Sequence, residues 1–144
     1  MPIIERTADV AATPEAVWSY LAHFPAWAEW DPDILAVSGV RGTLDNGGRF
    51  DVRMTRGLST TIVCSAVTHA RRVVWTGQFF MGLVTAQGIF ELEPLDGGRH
   101  TRLRYRFGMS GPFGRVAGRL NRRAVVRGME EGLANIVAAV MVLG

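Results

Sequence analysis

Two incompatible periodicities follow one another near the C-terminal end of this chain, and together they leave few folds open. Thr101, Leu103, Tyr105 and Phe107 alternate with Arg102, Arg104 and Arg106. A period of two puts all the apolar side chains on one face of a strand and all the arginines on the other. The strand therefore belongs to a sheet with one wet face and one buried face. After Gly111-Pro112 the period becomes helical. Phe113, Val116, Leu120, Ala124, Gly128, Leu133, Ile136 and Val140 form one stripe, which predicts a helix of about 30 residues. Only an element of that size can cover the apolar face of the sheet.

The preceding segments fit the same plan. Ile3 to Val10 alternates as a first strand. Thr13-Pro14-Glu15 predicts a helix start: a hydroxyl N-cap, a proline at the first helical position and an acid in the first turn. Pro25 and Pro32 bracket room for a second short helix around Trp27 and Trp30. A meander then runs through Ile34–Val40, Arg49–Arg56, Ser59–His69, Arg71–Phe80 and Leu83–Leu95, punctuated by Asp45-Asn46-Gly47-Gly48, Gly57, Met81-Gly82 and Asp96-Gly97-Gly98. The predicted order is strand, two short helices, six strands, long helix. The fold class is α+β, with a curved antiparallel sheet of about seven strands around the C-terminal helix. At 144 residues, without repeat or linker, the chain reads as a single domain over residues 1–144.

Composition excludes some classes of function. Nearly half of the residues are hydrophobic and a fifth are charged, which is globular composition. No apolar run is long enough for a transmembrane segment, and the N-terminus lacks the pattern of a secretory signal. The expected location is cytoplasmic. The single cysteine, Cys64, sits in a strand-like run and reads as a buried, inert thiol. His23, His69 and His100 show no zinc-like spacing, so no metal site and no cofactor are expected.

All basic residues are arginines, and they are unevenly placed. Residues 1–70 carry 5 Arg against 8 acids; residues 71–144 carry 11 Arg against 5. No nucleic-acid motif accompanies them, so a solvated face is the simpler reading and no nucleic acid is expected as partner. Glu91 and Glu93 face outward beside the arginine strand and suit cross-strand ion pairs. Asp31 and Asp33, flanking Pro32, suit turn and cap roles, with acid–base work as the rival.

Three stretches carry a resemblance. They are Thr13-Pro14-Glu15-Ala16-Val17-Trp18, then Trp27-Ala28-Glu29-Trp30-Asp31-Pro32, and then Phe90-Glu91-Leu92-Glu93-Pro94 with Asp96-Gly97-Gly98 and Thr101-Arg102-Leu103. In order and spacing they resemble the START-like (SRPBCC) helix-grip superfamily, in particular its polyketide cyclase/dehydrase and lipid-transport branch. The resemblance spans the whole chain and implies a cavity between sheet and helix. It departs at Gly88, where many relatives carry a histidine two residues before the Phe. A function that needs that imidazole does not carry over.

The resemblance turns the predicted inner face into a candidate binding surface for a small hydrophobic or aromatic molecule. Its residues are Trp30, Phe50, Met54, Trp75, Phe79, Phe90, Tyr105 and Phe107, closed by Leu120, Met129 and Leu133 of the helix. Gln87 and Asn121 are the candidate polar groups, and Tyr105 is the candidate proton donor or acceptor. Three functions remain open: a ligand carrier, a cyclase, aromatase or dehydratase using the same cavity, and an interaction module using the basic helix face or the Trp27/Trp30 segment. A homodimer is compatible with each.

Overall fold

The structure, a computed structural model, describes residues 3–143. Met1 and Pro2, which the sequence runs straight into the first strand, lie outside the described residues. Strand β1 (Ile4–Val10) leads into helix α1 (Pro14–Ala22), a 3-10 turn at Phe24–Ala26 and the short helix α2 (Trp27–Trp30). Strands β2 (Ile34–Arg41), β3 (Arg49–Met54), β4 (Ser59–Thr68), β5 (Arg72–Phe79), β6 (Val84–Leu95) and β7 (His100–Ser110) follow. Two helices, α3 (Gly114–Leu120) and α4 (Arg122–Leu143), end the chain. The seven strands form one antiparallel sheet in the order β1-β7-β6-β5-β4-β3-β2. Register shifts in β2–β3 and β4–β5 mark bulges, which bend strands and curve a sheet. The result is a helix grip, a curved antiparallel sheet closed over a C-terminal helix.

Local chemistry explains the entry to α1. Thr13 Oγ1 accepts a hydrogen bond from Ala16 N at 3.2 Å, and Pro14 and Glu15 hold the first turn. The helix buries Val17, Trp18, Tyr20 and Leu21. Thr101, a buried polar residue, donates its hydroxyl to Ala12 O at 2.8 Å and fastens β7 to the end of β1.

The outer face is an ion-pair lattice. Glu5 sits opposite Arg106 in the β1–β7 ladder and accepts from its Nε at 2.7 Å; Asp9 sits opposite Arg102 and accepts at 2.9 Å. Glu91 meets Arg106 Nη1 at 3.1 Å and Arg72 Nη1 at 3.4 Å. The arginine hydrogen bonds hold the Glu5 and Asp9 carboxyls below their ordinary range. The outward strip of β7 is thus neutralised by its own sheet neighbours. Exposed pairs of this kind are screened by water and salt, so they tune register more than stability.

The C-terminal helix differs from the expected continuous one. It breaks at Asn121, whose backbone leaves the helical region (φ −105°, ψ 9°) and whose Nδ2 donates to Ala117 O at 2.7 Å. Only α4 enters the core, through Met129, Leu133, Ile136 and Val140. Phe113, Val116 and Leu120 are exposed. Stepping back from Met129 by helical spacing lands on Val125, Asn121 and Ala117 rather than on Leu120 and Val116. The larger apolar residues of the expected stripe therefore lie beside the core-facing line, not on it.

Candidate functional site

One end of the concave sheet face is filled and the other is hollow. The filled end is an aromatic cluster. Trp27 lies 5.0 Å from both Trp30 and Phe50 (ring centroids), 5.8 Å from Trp75 and 6.2 Å from Phe90. Phe24 stacks on Phe50 at 4.4 Å. The Trp27 indole donates to Leu21 O at 2.8 Å, which ties α2 to the end of α1. Asn135 of α4 donates to Trp30 O at 3.1 Å from the other side.

The hollow end is a cavity of about 510 Å³. Its helix side is lined by small residues, Ala117, Ala124 and Gly128, with Asn121 and Val125 between them. Its sheet side includes Val52, Ile62, Ala86 and Phe107. Alanines and glycine facing a curved sheet leave space that Leu or Phe at those positions would fill. The cavity exists because the side chains over it are short.

The structure sorts the sequence candidates. Met54, Trp75, Phe79, Tyr105, Phe107, Asn121 and Met129 line the cavity. Trp30, Phe50 and Phe90 do not; each is fully buried in the aromatic end. Gln87 is exposed on the outer face, because Ala86, Gly88 and Phe90 take the inward positions of β6 and parity sends residue 87 out. Leu120 is 79% exposed, left outside by the break at Asn121. Leu133, a buried core residue of α4, closes the core rather than the cavity.

Gly88 has a definite role. It pairs directly with Trp75 across an unshifted β5–β6 ladder, and a Cβ placed on it would fall inside the Trp75 indole. The glycine neither enlarges the cavity nor marks a bulge. It lets the indole lie against the β6 backbone. Trp75 is 5% exposed, lines the cavity, and its Nε1–H has no hydrogen-bond partner among the described residues. Trp30 Nε1 is also unpartnered, but Trp30 is not a wall of the cavity. A buried unpaired donor costs about 1–3 kcal/mol, so Trp75 presents a standing demand for an acceptor.

The polar groups gather near it. Tyr105 lies 6.5 Å from Trp75 between ring centroids. Burial first, then the charges of Asp31 and Asp33, push its phenol well above the ordinary value, so it stays neutral and serves as a hydrogen-bond group. Asp31, whose sequence context suits a turn former with acid–base work as the rival, does form that turn: its Oδ1 accepts from Asp33 N at 2.9 Å. It also lines the cavity, half-buried. Burial pushes its carboxyl up to about 7; the Asp33 N–H opposes the rise and the Asp33 charge adds to it. Asp33 Oδ1 accepts from Thr55 Oγ1 at 3.4 Å. At the opening, Arg56 Nη1 donates to Asn121 Oδ1 at 3.4 Å and links the β3–β4 turn to the helix break. Burial holds the Cys64 thiol up at about 12, in keeping with an inert core residue. Among the described residues no group of three or more His, Cys, Asp or Glu side chains is placed to hold a metal.

The Asp31 shift has a definite sign in stability. Between about pH 4 and 7 the folded chain retains a proton that the unfolded chain has released, so this carboxyl makes stability fall as pH rises through that window. Asp31→Asn keeps the turn acceptor and removes the titration. The melting temperature of the variant relative to the parent is expected to climb from about pH 4 to 7 and then level. A difference that does not change with pH contradicts this.

The chain matches the family model for polyketide cyclase/dehydrase and lipid transport over residues 1–141. No curated protein matches it in sequence. Solved structures share its fold at low identity. A hypothetical protein from Helicobacter pylori superposes with a TM-score of 0.79 at 15% identity, covering 96% of this chain and 88% of that one. The Zhui aromatase/cyclase from Streptomyces sp. R1128 gives 0.74 at 18% identity, covering 97% and 93%. A START superfamily protein from Mycobacterium smegmatis gives 0.73 at 17%, covering 99% of both chains. With the helix grip and its cavity in place, the match over nearly its full length establishes that the chain belongs to the polyketide cyclase/dehydrase and lipid-transport family.

Proposed function

We propose that this chain binds a small, largely apolar, ring-bearing molecule in the cavity, and that an oxygen on that molecule accepts the Trp75 Nε1–H. The observation that carries the reading is a cavity of about 510 Å³ with one buried, unpartnered donor in its wall. That volume lies in the range of about 300–1,000 Å³ typical of small-molecule sites. The walls offer Phe79, Phe107 and Trp75 to a ring, and the polar groups are few and clustered. Tyr105 and Asp31 line the same cavity and are the further polar partners available to such an oxygen.

Paired probes test it. By calorimetry at neutral pH, 1-naphthol is expected to bind about ten-fold tighter than naphthalene, the worth of one well-placed hydrogen bond of about 1.5 kcal/mol. Trp75→Phe is expected to erase that preference while retaining naphthalene. No binding of either ring, or equal affinity for both in the parent, contradicts the proposal.

One observation favours a second, enzymatic reading. A carboxyl held at about 7 beside a neutral phenol is suited to moving a proton at neutral pH. In that reading the Trp75 Nε1–H and the Tyr105 hydroxyl hold a carbonyl oxygen, and Asp31 removes a proton from the adjacent carbon, as a ring-closing or dehydrating reaction requires. Asp31 rather than Tyr105 is then the base. Exchange of the acidic C–H of a bound β-diketone with deuterated water, followed by NMR, is expected to be lost in Asp31→Asn and only reduced in Tyr105→Phe. Exchange unchanged in Asp31→Asn removes the assignment.

A further inference from the structure

The mouth of the cavity is apolar on the outside. The β5–β6 turn carries Phe80, Met81 and Leu83, all exposed, with Met81 fully so at 103%. Phe80 and Met81 both hold positive φ, 54° and 58°, a backbone region that non-glycine residues seldom adopt. Gly82 N donates to Phe79 O at 3.2 Å, so the two are the central residues of a tight hairpin turn that holds their side chains out at its tip. Beside this turn stand Phe113, Val116 and Leu120, also exposed. Phe113 N donates to Leu83 O at 3.0 Å, so the two apolar segments are stitched into one patch. Phe80 from the turn and Ala117 from α3 both line the cavity, which places the patch at its rim.

The segments that carry the patch hold no acidic residue, although Asp31 and Asp33 line the cavity itself. Residues 73–90 contain neither acid nor base, and residues 97–129 contain no acid. Arg115, Arg119, Arg122, Arg123 and Arg127 are all exposed on α3 and the first turns of α4. Among the described residues none of them pairs with a carboxylate, in contrast to the neutralised arginines of β7. Exposed apolar tips, with long cationic side chains on the adjoining α3–α4 segment, fit a surface that is anionic outside and hydrocarbon within.

We propose that this rim docks on an anionic lipid bilayer, with Met81, Phe113 and Leu120 entering the acyl boundary and the α3–α4 arginines meeting the headgroups. The cavity then opens toward the membrane, and an apolar ligand passes between bilayer and protein without crossing water. An acidic protein would satisfy the arginines. It would leave unexplained a fully exposed methionine held at the tip of a left-handed turn.

Co-flotation of the full chain with vesicles tests this. The parent is expected to float with vesicles of phosphatidylcholine and phosphatidylglycerol and not with phosphatidylcholine alone. The double variant Met81→Asn, Leu120→Gln changes two exposed residues outside the cavity wall, and asparagine tolerates the left-handed turn, so folding is expected to be kept. It is expected to lose vesicle binding at least ten-fold while binding naphthol as the parent does. That last readout separates failure of docking from failure of the ligand reading. Arg119→Gln and Arg123→Gln are each expected to weaken binding about five-fold at low salt. Absence of flotation with the anionic vesicles overturns the proposal. So does flotation that survives the double variant, and so does retention on an acidic protein or self-association through the patch without vesicle binding.

Discussion

The structure depends on one residue's position more than on any other: Trp27, seated where the second helix meets the concave face of the sheet. Its indole nitrogen is satisfied by Leu21 O at 2.8 Å, so the ring can be buried without a polar debt. Its faces and edges then meet Phe24, Trp30, Phe50, Trp75 and Phe90. That cluster draws residues from the α1–α2 region and from β3, β5 and β6. It fixes how far the sheet closes at one end, and α4 locks down behind it through Asn135 and the Met129–Val140 stripe.

The cavity is the counterpart of that plug. With the curvature set at the aromatic end, the distance from sheet to helix at the other end no longer depends on what fills it. Ala86, Ala117, Ala124 and Gly128 leave it open. A mostly apolar space then acts on the few polar groups at its wall. The Asp31 carboxyl rises to about 7, the Tyr105 phenol stays neutral, and the Trp75 N–H goes unpaired. These are three consequences of one cause: little water and few partners.

Much of this was legible in the sequence, and the failures have physical reasons. The β7 alternation identified the wet and dry faces, and its arginines do pair with Glu5, Asp9 and Glu91. The Thr13-Pro14-Glu15 start is observed as read. Gln87 was placed in the cavity against the parity that put Phe90 there; both cannot face inward on one strand. Leu120 was placed on the predicted helical stripe, whereas the helix line facing the cavity runs through Ala117, Asn121 and Val125. A stripe of small residues is a weak signal for a core but a good one for a void. Asp31 was read first as a turn former, with acid–base work as the rival, because its proximity to Tyr105 joins segments far apart in sequence. Gly88 marks the place where the Trp75 indole lies, which no single-strand pattern reveals.

The central claim is that the space under the helix break, and not the aromatic end, receives a ring-bearing molecule. Methionine methyl NMR tests it with internal controls, since the chain has six methionines. Met54, Met109 and Met129 line the cavity, while Met141 is exposed on α4 away from it. On titration with 1-naphthol the three cavity methyls are predicted to show saturable ring-current shifts, with Met141 unmoved. Shifts absent from the cavity methyls, or spread equally over Met141, would contradict the account.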